Sequence, residues 1–169
     1  MKKIITLVFA LVLLSACNDS QEILGTTSEI AGNLIIDAPQ TQGTSESHDV
    51  SVNQDLSLII PNFNRISSIN VNRLSFLYGN VTGNANAVIE EGIIVVNGVT
   101  ITTINNVNVT TAANGETVFS IVDGNILSQL GTQLLANGFI VIDFIGSILS
   151  DEDPVNFSVV VSLNITATI

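Results

Sequence analysis

This 169-residue chain has no tryptophan, one tyrosine, one histidine, one cysteine, three prolines and only four basic residues. Each shortage excludes something. A single cysteine cannot form a disulfide within the chain, and one cysteine with one histidine cannot build a common zinc site. Without tryptophan, and with only Tyr78 and seven phenylalanines, aromatic platforms for stacking sugars are scarce. Both lysines sit at positions 2 and 3, so the rest of the chain is without Schiff-base chemistry and lysine–asparagine cross-links. Past them, Arg65 and Arg73 stand against fifteen acids. A surface of that sign repels phosphate backbones and anionic headgroups, which excludes nucleic acid as the expected partner and argues against peripheral membrane binding by overall charge. The N-terminal apolar run, Ile4 to Leu14, spans about 17 Å as helix, too short for a hydrocarbon core of about 30 Å.

What is present begins at that run. Lys2 and Lys3 form a positive start, Ile4 to Leu14 an apolar segment, and Leu14-Ser15-Ala16-Cys17 brings the only cysteine where the polar sequence begins. These residues resemble the lipobox signal peptide of bacterial lipoproteins. The resemblance implies cleavage before Cys17 and lipid on its sulfur and amino group. It divides the chain into a signal peptide (1–16), a lipidated flexible tether (17–28) and one domain (29–169), with 153 residues remaining at a formal charge of −13. Asp19 and Glu22 are similar to the acidic export signals of Bacteroidota surface lipoproteins. Asn18, in place of aspartate after the cysteine, departs from the usual inner-membrane retention signal. The implied location is the bacterial cell envelope, at the outer membrane or cell surface rather than the inner membrane.

From residue 29 onward Val, Ile, Thr and Asn dominate, in alternating runs broken by Gly and Asn, which predicts strands. Phe157, Val159, Val161, Leu163, Ile165, Ala167 and Ile169 share one face of a long strand that ends within its own sheet. Phe139 to Ile145 is apolar on both faces apart from Asp143, as expected of a central strand covered on two sides. Asn97-Gly98 between Ile93–Val96 and Val99–Thr103 predicts a two-residue type I′ hairpin. In Asn70–Tyr78 the apolar positions switch from odd (Ile69, Val71) to even (Leu74, Phe76, Tyr78), which a β-bulge near Asn72-Arg73 produces. Further strands are expected at 33–37, 49–60 with an interruption near Asn53-Gln54, 106–111 and 117–122.

One segment breaks the pattern. Ile126, Leu127, Leu130, Leu134 and Leu135 recur at helical spacing, with Asp123 or Asn125 to cap the start and Gly138 to supply a left-handed stop. A short helix over 125–136, plugging one end of the sandwich, follows. The expected fold is all-β, an immunoglobulin-like β-sandwich with that one helix.

Candidate chemistry is sparse. His48 reads as part of a Thr/Ser/Gln-rich surface loop, without a Gly-x-Ser-x-Gly elbow elsewhere to make a hydrolase of it. Glu90 and Glu91 are adjacent, so in a strand they point to opposite faces, and a solvated turn beside Gly92 is the expected setting. Asp151-Glu152-Asp153-Pro154 places three acids between two strands; Asp151 and Asp153 are the candidate calcium ligands, set against an ordinary acidic turn, the spacing matching no known calcium loop. Asn-x-Ser/Thr triplets at Asn80, Asn108, Asn156 and Asn164 read as accidents of composition. No catalytic residue and no cofactor is assigned. The expected function is a membrane-anchored envelope or cell-surface lipoprotein, a non-enzymatic interaction or structural module with membrane contact through the lipid and an unidentified protein partner. Alternatives are a carbohydrate-binding lipoprotein of a glycan-uptake system, and a pilus or adhesin subunit assembling by strand exchange through the last strand.

Overall fold

Alternating β-branched and small polar residues give eight antiparallel strands in a computed structural model that describes residues 26–115 and 118–169. They are β1 (Thr26–Ala38), β2 (Glu46–Asp55), β3 (Ser68–Gly83), β4 (Val88–Val96), β5 (Val99–Asn108), β6 (Phe119–Ile121), β7 (Phe139–Leu149) and β8 (Val155–Thr168). Two helices, α1 (Val109–Asn114) and α2 (Gly124–Asn137), join the later strands, and two 3₁₀ turns (Leu56–Leu58 and Phe63–Arg65) lie between β2 and β3. The sheets run β1-β8-β3-β6 and β2-β7-β4-β5. The expected two-layer sandwich is present, and its strand order is the jelly roll's. Pairing is nested: β4 with β5, β3 with β6, β2 with β7 and β1 with β8, as if one long hairpin were wrapped into two layers. All successive strands but β4 and β5 therefore cross between sheets, which separates this order from the immunoglobulin connectivity.

The tip of that hairpin is Asn97-Gly98, with φ of 47° and 79°, the left-handed pair that a type I′ turn requires. Asn97 also stands in for a ladder residue toward β7, accepting from the Val141 amide at 2.6 Å and donating to the Phe139 carbonyl at 3.0 Å. β8 lies between β1 and β3 and pairs with both along nearly its whole length. Its inward positions, from Val155 and Phe157 to Ile165 and Ala167, are buried and form the centre of the core with Leu34, Ile36, Leu74, Ile94 and Phe144. Each such side chain contributes about 1.5–3 kcal/mol on burial. The bulge falls where the apolar phase changes: β3 shifts register against β8 between Val71 and Arg73, so that Ile69, Val71, Leu74, Phe76 and Tyr78 are all buried.

Several expectations are corrected. Thr26–Ser28, assigned to the tether, are paired in β1 opposite Ile165–Ala167. The strand expected over 49–60 runs from Glu46 to Asp55 without interruption; Asp55 then caps a 3₁₀ turn, accepting from the Ser57 amide at 2.8 Å. Bonds from the Ser57 side chain and backbone hold the Asp55 carboxyl below its usual range. The strand expected over 106–111 stops at Asn108, whose side chain accepts from the Thr111 amide and starts α1. In the strand expected over 117–122, Phe119–Ile121 are paired, and Thr117 lies outside the described residues.

β7 is central in its sheet, yet only its inward face is covered; Ile145 is 44% exposed on the other. Its outward Val141 and Ile145 belong to a solvated sheet surface, where scattered apolar side chains are ordinary. α2 is capped by Asp123 and stopped by Gly138 as expected, but it packs mainly along β3 rather than across one end of the sandwich. β6 pairs only with Leu74–Phe76, and α2 lies beside the residues of β3 that precede this pairing. The approach is close: a Cβ at Gly131 would stand 2.3 Å from the Ile69 carbonyl oxygen. Covering a sheet edge in this way removes a template for aggregation.

Candidate functional site

Asp151 and Asp153, the candidate calcium ligands, lie where three loops meet at one end of the sandwich. The Asp151 carboxylate accepts from the Gly43 amide at 2.8 Å and the Thr41 hydroxyl at 3.1 Å, and its carbonyl accepts from the Gln40 side chain. Ser150, fully buried, accepts from the Thr41 amide at its carbonyl and donates its own amide to the Thr41 hydroxyl, while its side chain accepts from Asn84 at 3.0 Å and donates to the Asp153 carbonyl at 2.6 Å. Asn86 donates to the Glu152 carboxylate. Buried polar groups must be paired, and this network pairs Thr41, Asn84 and Ser150 while fastening the loops 39–45, 84–87 and 150–154 to one another. Among the described residues no group of three or more His, Cys, Asp or Glu is placed to hold a metal. Asp151 thus acts as a loop fastener, a role its sequence did not reveal because Thr41 and Gly43 are remote along the chain.

His48 lies in β2 opposite Gly146, not in a loop, with its Nε2 buried and without a hydrogen-bond partner. Glu90 and Glu91 are in β4 rather than a turn, at a register shift against β7 that falls between Ile89 and Glu91. Glu91 faces outward in a transverse row with Ser47, Ser147 and Asn105; the next row carries Asp49, Ile145, Ile93 and Thr103. Between these rows is a shallow depression of about 560 Å³. Beneath it, the inward-facing Gly92 and Gly146 leave room for the Phe144 ring.

Aromatic side chains, though scarce, line a second hollow that local sequence patterns do not reveal. Phe119 stacks on Phe76 at 4.8 Å between centroids, with planes 9° apart, and meets Tyr78 edge to face. These rings and Thr102, Thr103, Asn105 and Val107 line a slot of about 310 Å³ between the edge strands β5 and β6. Phe119 is 37% exposed there. Burial pushes the Tyr78 hydroxyl well above the ordinary tyrosine value. The only signal in the sequence was the alternation that sends Phe76 and Tyr78 to the same face; Phe119 joins them through a three-residue strand. Cys17 lies outside the described residues.

Fold and site together define an acidic, antiparallel eight-stranded sandwich with a hydrogen-bonded cluster of loops at one end. No family model matches this chain, and no curated protein matches it. Among solved structures it is similar to a decameric BFDV capsid protein, at 9% identity and a TM-score of 0.39, over 85% of this chain and 98% of that one. It is also similar to the structure of infectious bursal disease virus Gx strain, at 14% identity and a TM-score of 0.34, over 84% of this chain and 32% of that one. At these scores neither likeness carries a function, ligand or partner to this chain. Among the described residues no helix is long and apolar enough to cross a membrane.

Proposed function

We propose that this protein is a lipid-anchored envelope or cell-surface lipoprotein whose sandwich serves as a non-enzymatic interaction or structural module. The observation that carries the proposal is Leu14-Ser15-Ala16-Cys17 following a basic start and an eleven-residue apolar run. The domain fits this reading in two respects: β1 begins nine residues after Cys17, and the acidic candidates serve loop structure. Mass spectrometry of the mature N-terminus tests it. Acyl mass on Cys17, lost in Cys17→Ser together with membrane association, is the expected result; a free Cys17 thiol or cleavage elsewhere overturns it.

The glycan-binding alternative draws on the slot at Phe119, where a part-exposed ring adjoins Thr102, Thr103 and Asn105. A glycan array without hits, or hits that survive Phe119→Ala, removes it.

A further inference from the structure

Charge is unevenly placed along this chain. No acid occurs between Asp55 and Glu90, and both Arg65 and Arg73 fall in that stretch. β3 carries that stretch from one end of the sandwich to the other, but both arginines lie toward the end where β3 begins. At one end β1 begins and β8 finishes, with Thr26 opposite Ala167, and β2 finishes where β7 begins, with Asp55 opposite Phe139. The turns between β2 and β3 lie at this end, fastened by the Leu56 amide to the Gly138 carbonyl, with Arg65 exposed. Exposed apolar side chains gather here too: Leu58 at 85%, with Phe139 and Ile169 at about 40%. Acids are present at this end as well, Asp55 capping the first turn and Glu29 near the start of β1, but the opposite end carries more of them, Asp37, Glu46, Glu91 and the run Asp151–Asp153, and neither arginine.

Distance decides which end faces a membrane, given the anchor proposed above. Nine residues from Cys17 to Thr26 reach at most about 30 Å. β1 itself, 13 residues long, measures about 40 Å. With the acidic end turned to the leaflet, the tether would have to climb the length of β1, which it cannot do. An upright domain presents the arginine end.

We propose that Leu56–Ile66 is a second, non-covalent membrane contact, with Leu58 entering the interface of the leaflet that holds the lipid and Arg65 meeting headgroup phosphates. Apolar side chains at this depth and a cation at the phosphate level are what an interface accepts. The opposite end, with more acids and no arginine, is repelled more strongly by the same phosphates, so charge favours the orientation that the tether length and Leu58 set. The overall charge of −13 therefore does not oppose a local contact at this one end.

The absence of tryptophan supplies a clean probe. Full-length lipidated protein carrying Leu58→Trp, or Thr44→Trp at the opposite end, is reconstituted in phosphatidylethanolamine–phosphatidylglycerol vesicles with acyl-brominated lipids, and flotation reports anchoring separately. The expected result is flotation of both, with blue-shifted and bromine-quenched emission from Leu58→Trp alone. Flotation with Leu58→Trp emitting as in water overturns the contact while leaving the anchor intact. A blue shift without quenching puts protein rather than lipid over Leu58 and also overturns it. Failure to float overturns the anchor, and this orientation with it.

Discussion

Two glycines at the residue scale make opposite demands. Gly98 has open space around the position of a Cβ but a φ of 79°, so Gly98→Ala should cost about 1 kcal/mol, the strain of a left-handed residue. Gly131 is inside α2, where alanine ordinarily favours a helix, yet its Cβ would strike the Ile69 carbonyl. Gly131→Ala should therefore destabilise by about 3 kcal/mol, as overpacking does. Chemical denaturation of the two variants checks the ranking, and Gly131→Ala as stable as the parent would mean that α2 stands farther from β3. Tyr78 predicts an alkaline limit. Its folded-state value is raised above the unfolded value near 10, so its contribution is complete below that pH and is lost as pH rises above it, the unfolded chain releasing its proton first. Thermal melts between about pH 9 and 11 should fall in the parent and flatten in Tyr78→Phe, which keeps the ring contacts.

At the scale of elements, loops and strands differ in how openly the sequence declared them. The Asn97-Gly98 hairpin, the bulge near Arg73, the alternation of β8 and the limits of α2 were legible because each is fixed by neighbours within a few residues. α1 was not: Val109, Thr110 and Thr111 favour strand, and the Asn108 cap with burial of Val109 outweighs that preference. Nor was the outer face of β7 legible, since an apolar run looks the same whether or not a second layer covers it. The fastening role of Asp151 needed contacts more than a hundred residues away along the chain. Asp151→Ala should cost about 1–2 kcal/mol in calcium-free buffer, with millimolar calcium leaving the parent's melting temperature unmoved. A calcium-dependent rise would restore the metal reading. β8 is hydrogen-bonded on both edges, so deletion of 157–169 should abolish folding; a folded, strand-accepting remainder would instead favour assembly by strand exchange.

For the whole molecule, the class of fold was legible and the order of strands was not, because periodicity identifies a buried face but not the partner across it. The distribution of charge was in the sequence from the start, as the acid-free stretch from Leu56 to Ile89. Only the fold placed the first part of that stretch, with Leu58 and Arg65, at the end where β1 starts and so gave it a direction relative to an anchor. The nested pairing has a kinetic meaning as well. Only β4 and β5 can close locally; each further pair, from β3 with β6 out to β1 with β8, becomes inexpensive in loop entropy once the pair inside it has formed. One layer is incomplete until β7 has slid between β2 and β4, and the other until β8 has slid between β1 and β3. A chain emerging N-terminus first thus stays open along its length until synthesis is nearly done, the condition in which a polypeptide can still be threaded across a membrane.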